Sequence, residues 1–416
     1  MANIDHKELG RILGLFSFSR QVPGTVYWWP KGALLFDLIV SDLKMRLAEQ
    51  EYQDLRTPTI IDLETLEKSG HYENYREKLF FTGNEKEMKE EKVHWCLKPM
   101  NCPGSIAIFN EKMRSYKDLP IKFSEVGTVF RYEQPGEVNG LFRTRALTID
   151  DAHIYCTEDQ MKEELLKLID FIKETYRRYG FKDIRLELST RPEKSIGTNE
   201  QWEKAEEGLK KALDDKKIDY KENKGEGAFY GPKIDFHVKD AHGRSWQMGT
   251  IQLDFATAER LAANYIDKDG QKKHPVIIHR AILGSVERFI AVLLEHTGGA
   301  LPLWISPVQV KVLAISEKFN QYAQKVYKDL QKEGIRVEFD RRVETLNAKI
   351  RDAELTKVPF LVIIGAKEEA GNFVAVRSRK KGDQGPMKLA ELVSLISRQE
   401  GEDIEEVVPA AEESQP

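Results

Sequence analysis

Arginine stands at three places where a polyphosphate could be held. Phe130-Arg-Tyr-Glu133 falls at the end of an expected strand, and Phe142-Arg-Thr-Arg145 follows a turn containing Pro135, Gly136 and Gly140. The third is Arg288, in the helical run Gly284-Ser-Val-Glu-Arg-Phe289. Guanidinium groups pair with phosphate oxygens through two parallel hydrogen bonds and keep their charge at any physiological pH. A strand, a flexible loop and further arginines would therefore suit a polyphosphate bound without a phosphate-cradling glycine loop. The nearest glycine-rich stretch, Gly225-Glu-Gly-Ala-Phe-Tyr-Gly-Pro-Lys233, does not lead from a strand into a helix and reads as a plain loop. Taken singly, each arginine reads first as a surface ion pair and only second as a ligand clamp.

A second set joins a thiol and two imidazoles: Cys102 in Asn101-Cys-Pro-Gly104, His153 closing Asp150-Asp-Ala-His153, and His279 closing Val276-Ile-Ile-His279. Such groups can ligate a metal, but gaps of 51 and 126 residues match no metal-binding spacing. A buried thiol and two core histidines would look the same. All three are expected at strand ends or sharp turns, where site residues collect.

The elements that must position these groups change character along the chain. Ala33 to Ala48 reads as one long amphipathic helix with Leu34, Leu35, Leu38, Ile39 and Leu43 on its apolar side. A second helix starts at the capping box Thr157–Gln160 and stops at Gly180. Around them lie strand-like runs at 93–97, 126–132, 184–188, 233–238 and 246–255. The last two are joined by the turn Lys239 to Arg244, as a hairpin. Hairpin-linked strands with packed helices predict an α+β domain built on an antiparallel sheet. From 307 to 400, strands at 308–315, 335–339, 358–364 and 373–379 alternate with helices at 319–330, 344–355 and 387–397. That is a small α/β unit with a parallel or mixed sheet. Leu301 to Pro307 carries two prolines and reads as the linker. The expected division is 1–300, a linker at 301–306, a second domain at 307–400, and a disordered acidic tail at 401–416.

Composition bounds the function. The chain has 416 residues, 64 Lys and Arg against 68 Asp and Glu, and a net charge of −4, which excludes a wholly basic nucleic-acid binder. The charge is uneven, however. Residues 307–400 hold 18 basic and 13 acidic residues, a net of +5, whereas 401–416 hold six acidic residues and no basic one. Three cysteines cannot form a disulfide framework, and no secretory signal or membrane-spanning run is evident. A soluble protein of the reducing cytoplasm is expected.

Together the motifs resemble those of class II aminoacyl-tRNA synthetases, and specifically the threonyl-tRNA synthetase family, over residues 5–400. Pro58 resembles the motif 1 proline of the family's dimer interface. Phe130-Arg-Tyr-Glu133 with the loop to Arg145 resembles motif 2, and Gly284-Ser-Val-Glu-Arg288 resembles motif 3. The narrower likeness rests on Lys98-Pro-Met-Asn-Cys-Pro-Gly104, Asp150-Asp-Ala-His153, Ser189-Thr-Arg-Pro-Glu-Lys194, Gly225–Lys233 and His279-Arg-Ala-Ile-Leu-Gly-Ser285. The implied architecture is a class II antiparallel-sheet catalytic domain followed by an α/β anticodon-binding domain with a mixed sheet.

The resemblance also implies roles. Cys102, His153 and His279 would ligate one zinc ion per chain, with an open position for substrate. Arg131, Arg288 and Lys233 would be catalytic. Arg131, Glu133, Arg143, Gln247 and Arg288 would bind ATP with Mg²⁺. Met100, Asp151, Tyr230, Gln252 and Ser285 would bind L-threonine, and His71 would meet the tRNA 3′ end. Arg351, Glu368 and Arg377 would read the anticodon of tRNA(Thr). The family also implies a homodimer. Ile149, Met248 and Val343 depart from its common Gln, Cys and Asn, and Lys357 replaces an Arg, losing two-pronged bonding. Full-length members add an editing domain before the core. A chain beginning at the core is either trimmed from a longer one or relies on an editing factor in trans, because serine lacks only one methyl group, worth roughly 1–3 kcal/mol. Formation of Ser-tRNA is therefore expected. Two other readings stay open: a synthetase-derived RNA binder without activity, and ligation of serine or transfer of an adenylate to a non-tRNA carrier. Retention of Arg131, Arg288 and the Cys–His trio argues against the first.

Overall fold

The computed structural model describes residues 4–90, 92–240 and 243–405. Its centre is an eight-stranded sheet. In chain order the strands are β1 (Gln53–Asp54), β2 (Ile121–Phe130), β3 (Ala146–Cys156), β4 (Ile184–Ser189), β5 (Tyr220–Asn223), β6 (Lys233–Lys239), β7 (Ser245–Asp254) and β8 (Val276–Ser285). Across the sheet they run β5-β4-β6-β7-β8-β3-β2-β1. The six inner strands are antiparallel, as expected, but each edge adds one parallel strand, β5 on β4 and β1 on β2. The β6–β7 hairpin stands where the sequence places it.

Helices cover the apolar face. The capping signals are local and behave as read. Helix α1 (His6–Leu13) starts on Asp5 and ends at left-handed Gly14. Helix α2 (Pro30–Glu49) has proline in its first turn, where a missing N–H costs nothing. Short α3 (Cys102–Asn110) begins on the cysteine itself. Helix α4 (Glu158–Arg178) carries the reciprocal Thr157–Gln160 cap, and α5 (Asn199–Asp215) a second one from Thr198 and Gln201. Helix α6 (Val286–Thr297) is capped by the Ser285 side chain and stopped by left-handed Gly298. Leu35, Ile39, Leu165, Ile169, Ile172, Phe289, Ile290 and Leu293 from these helices are fully buried with Ile154, Ile251 and Ile278 of the sheet in one core.

The C-terminal body has its own core. Its strands are β9 (Val310–Ala314), β10 (Val337–Asp340), β11 (Phe360–Ile364), β12 (Val374–Ser378) and β13 (Gly382–Met387), ordered β10-β9-β11-β12-β13. The first three are parallel and the last two antiparallel, a mixed sheet. Helices α7 (Asn320–Lys332), α8 (Leu346–Leu355), α9 (Ala366–Gly371) and α10 (Leu389–Glu405) accompany it.

The expected linker at 301–306 is packed: Leu301, Leu303 and Ile305 are at most 4% exposed. Leu301 and Ile305 join the first core and Leu303 the second. Arg336 donates from Nε to the Ser306 carbonyl at 2.8 Å and from Nη2 to the Leu303 and Trp304 carbonyls. Arg379 donates to the Leu301 carbonyl at 2.7 Å, and Lys31 pairs with Glu338 at 2.7 Å. The segment is a packed joint. The expected disordered tail at 401–416 is corrected where it overlaps α10, which runs on to Glu405; residues 406–416 lie outside the described residues.

Candidate active site

Strand register gathers the chemistry. In a sheet, residues opposite each other across strands share a face, and so do residues two apart along one strand. Lys233, Gln252, His279 and His153 form one row across β6, β7, β8 and β3. Asp235, Thr250, Ala281, Asp151 and Glu125 form the next row, two residues along. Both rows therefore face away from the helical core. The alternating residues, such as Ile234, Ile251 and Ile278, face into it.

The two histidines are not at strand ends, as expected from sequence, but in mid-strand and directly paired. Cys102, at the start of α3, completes a trio whose ligand atoms lie within 4.8 Å of one another. Both rings are buried, and His153 Nε2 and His279 Nδ1 have no hydrogen-bond partner. Buried polar nitrogens are costly to leave unbonded, so two of them in one Cys–His cluster fit a metal centre. His279 Nε2 is 3.0 Å from Asp254 Oδ2, the outer carboxylate typical of metal-bound imidazole. Burial drives the Cys102 thiol well above its ordinary pKa and the His153 imidazole well below, so a cation is what would keep the thiolate there. Asp151 is raised to about 6 by burial, against the pull of His279 and Arg280.

Next to the trio opens a cavity of about 760 Å³. Met100, Asp151, Tyr230, Gln252 and Ser285 line it, together with Cys102, His279, Arg131, Glu133, Arg143, Lys233, Arg288 and His71. Sequence-singled Ile149 and Met248 are also in its wall. His153 and Gln247 are not among the lining residues. Gln247 donates instead to Asp235 at 2.7 Å, which also pairs with Lys233 at 2.6 Å, so one carboxylate fixes both. Arg131 leaves the end of β2, donates from Nε to the Pro99 carbonyl at 3.1 Å and lies over the Tyr75 ring. Buried Glu133 accepts from Lys78 at 3.1 Å and from Arg143 at 3.0 Å. Arg288 donates from Nε to the Phe142 carbonyl at 3.2 Å. Burial and the nearby Arg143 charge lower the Arg288 pKa, which marks a guanidinium short of counter-charge. Tyr230 bonds to Gln252. His71 is buried, bonds to Ser69 at 2.8 Å and has its pKa pushed down to about 4 by burial and the adjacent His279.

Several residues escape a sequence reading. Asp235 and Asp254 look like ordinary strand polars. Lys98 and Glu125 form a buried pair at 2.8 Å, with Thr57 donating to the same carboxylate. The only written signal is the alternation of polar and apolar residues in Lys233-Ile-Asp235 and Thr250-Ile-Gln252, which puts each polar pair on one face.

The remaining singled-out residues lie in the C-terminal body. Arg351 is exposed on α8, and Arg377 pairs with Glu354 of the same helix at 2.9 Å. Glu368 accepts from the Gly365 N–H at the start of α9. Val343 is 79% exposed.

Residues 81–297 match the family described as the tRNA synthetase class II core domain (G, H, P, S and T), and residues 309–399 match the anticodon binding domain family. A threonine–tRNA ligase of Acetivibrio thermocellus is 48% identical over 94% of this chain and 61% of its own length. One from Nitrosomonas eutropha is 47% identical over 96% of this chain and 62% of its own length. The chain thus spans about three fifths of the curated relatives it matches. A crystal structure described as the RNA binding domain of threonyl-tRNA synthetase from Cryptosporidium parvum superposes with a TM-score of 0.90 at 42% identity, covering 95% of this chain and 98% of that one.

Proposed function

We propose, since the chain belongs to the class II tRNA synthetase core family and within it to the threonyl-tRNA synthetases, that it activates threonine with ATP and joins it to tRNA(Thr). The observation that carries this reading is the buried Cys102–His153–His279 trio with Asp151, next to a cavity that Arg131, Arg143 and Arg288 also line.

In this reading Cys102 Sγ, His153 Nε2 and His279 Nδ1 would hold one zinc ion per chain. When bound, it supplies a Lewis-acid position for the amino and hydroxyl groups of the amino acid, which valine cannot satisfy. Asp151 accepts the substrate hydroxyl, and Met100, Tyr230, Gln252 and Ser285 close the pocket around it. Arg131 holds the α-phosphate, where charge builds as the threonine carboxylate attacks in line and pyrophosphate leaves. Lys233 and Gln247 are steadied by Asp235, and Glu133, Arg143 and Arg288 hold the rest of the nucleotide, which binds with Mg²⁺. Because the reactants are brought together and oriented, no protein nucleophile is required. His71, kept neutral by burial, meets the tRNA 3′ end, whose ribose hydroxyl displaces AMP from the adenylate. Arg351, Glu368 and Arg377 meet the anticodon, and the surplus of positive charge in 307–400 suits the phosphate backbone.

We further propose a homodimer, supported by exposed Ile60 and Trp95 on two short paired strands, Ile60–Asp62 and Trp95–Leu97, the first of them following Pro58. No helix among the described residues is long and apolar enough to cross a membrane, and the proposed site of action is the cytoplasm, with tRNA and ATP. Serine mischarged by this pocket falls to an editing activity, in the same polypeptide or in trans.

The test is amino-acid-dependent exchange of pyrophosphate into ATP with zinc-loaded and chelated protein. Threonine is expected to support exchange best, serine less, valine not at all, and chelation to abolish it. No exchange with any of the three would leave a non-catalytic RNA binder; zinc-independent exchange with valine would overturn the pocket.

A further inference from the structure

The nucleotide side of the cavity contains a turn, Asn139 to Arg143, that carries Phe142 and Arg143. The Phe142 N–H donates to the Asn139 carbonyl at 2.9 Å, and the Asn139 N–H to the Arg143 carbonyl at 3.1 Å. Such a short turn has little of its own to fix it. Arg288 holds it from one side through the Phe142 carbonyl.

The other side is held by a residue from the far end of the chain. His6, the first residue of α1, is 1% exposed, and its Nε2 accepts the N–H of Leu141 at 3.1 Å. Its Nδ1 is 2.8 Å from Glu295 Oε1, and its backbone N–H donates to the same oxygen at 2.9 Å. Since Nε2 accepts, the ring proton sits on Nδ1 and is donated to Glu295. Glu295 is 2% exposed, is also paired with Arg244, and stands seven residues beyond Arg288 on α6. The His6 ring meets Phe142 edge-on at 4.4 Å, and Phe142 stacks on Trp246 at 4.1 Å. Gly140 is left-handed (φ +53°), and a Cβ there would lie 2.3 Å from His6 Nε2. The turn and the imidazole are fitted to each other.

We propose that His6 is a positioning residue for the nucleotide site. Anchored on Glu295, it sets the height of Leu141 and the tilt of Phe142, and so presents Phe142 and Arg143 to ATP on a mount shared with Arg288. The inference rests on the reading of this cavity as an ATP site. The first helix is on this view part of the nucleotide machinery, although no part of it lines the cavity.

Two substitutions separate the two bonds. His6→Asn places an amide near Nδ1, keeping a donor toward Glu295 and losing the acceptor for Leu141. His6→Gln reaches the Nε2 position and restores that acceptor. Titration calorimetry of the full chain with Mg-ATP, and separately with threonine, reads the effect without turnover. Weakening of ATP binding by about tenfold in His6→Asn is expected, as for loss of one buried hydrogen bond worth about 1.4 kcal/mol. Threonine affinity should hold, and His6→Gln should return ATP binding to within about threefold. Wild-type ATP affinity in His6→Asn would overturn the proposal, and so would equal losses for ATP and threonine, which mark a general structural fault. Should the unaltered chain bind no ATP, the reading of the cavity fails instead. Hydrogen exchange at the Leu141 amide then decides the positioning alone: protection kept in His6→Asn refutes it, protection lost there and regained in His6→Gln supports it.

Discussion

His153 and His279 stand opposite each other on adjacent antiparallel strands, their ring centroids 4.8 Å apart and their planes at 82°. Each has one ring nitrogen without a hydrogen-bond partner, and each brings a ligand atom within 4.8 Å of those of its partner and Cys102. The T-shaped arrangement follows from direct cross-strand pairing, which brings side chains on one face within about 5 Å of each other. The rigidity of a six-strand antiparallel array thus sets the geometry of the proposed metal centre.

Asp254 orients this centre through His279 Nε2. Asp254→Asn should lower zinc affinity about 10–100-fold. Zinc content per chain after dialysis against graded chelator measures it. Unchanged retention would mean that the carboxylate only caps the turn at Ala256 and Thr257, whose N–H groups it also accepts.

Selectivity should be asymmetric. A site that demands a hydroxyl rejects an analogue lacking it by about 10⁴–10⁵, whereas one missing methylene is worth only about 10–200-fold. Exchange kinetics should therefore place serine within about 200-fold of threonine and valine far below. Valine ranked above serine would remove Asp151 and the Cys–His trio from amino-acid recognition.

The Lys98–Glu125 pair is 2.8 Å long, with both side chains under 10% exposed. Lys98→Met strands a buried carboxylate and should cost about 3–5 kcal/mol in urea unfolding, while Lys98→Met with Glu125→Leu should recover much of it. A single-variant loss well under about 1 kcal/mol would mean water reaches the pair.

Glu287, buried in the first turn of α6, accepts the Thr148 N–H, yet burial raises its pKa to about 7. Its unfolded value is 4.5, so between the two the folded state binds more protons. Stability should then fall as pH rises through that window, by roughly 3 kcal/mol in all. Glu287→Gln cannot ionise and should remove this slope. The variant should gain on the parent between pH 5 and pH 8 in urea unfolding; parallel profiles at both pH values would refute the assignment.

Local signals in the sequence carried far. The Thr157–Gln160 cap, the β6–β7 hairpin and the alternation of the second body depend on residues within a few positions of each other, and they stand as read. The motifs carried a family resemblance, and most of the residues they name for the first body line one cavity. Long-range facts were not legible. No spacing announces that His153 pairs with His279, because the register of β3 and β8 is set by the whole sheet. Helix α9 has no apolar stripe and only six residues, and β13 carries two glycines and Pro386, which an edge strand tolerates. The packing of the joint at 301–306 was equally illegible, because proline marks a break in regular structure and says nothing of burial; Leu301 belongs to the first core and Leu303 to the second.

That joint turns the molecule into a gauge. With Leu301, Leu303 and Ile305 sunk in both cores and Arg336 and Arg379 clasping the carbonyls between them, the span from the cavity to the face bearing Arg351 and Arg377 is set by packing and not by a free chain. A molecule that touches both ends must match that span or bend to it. Anything shorter, longer or differently angled can hold only one end at a time.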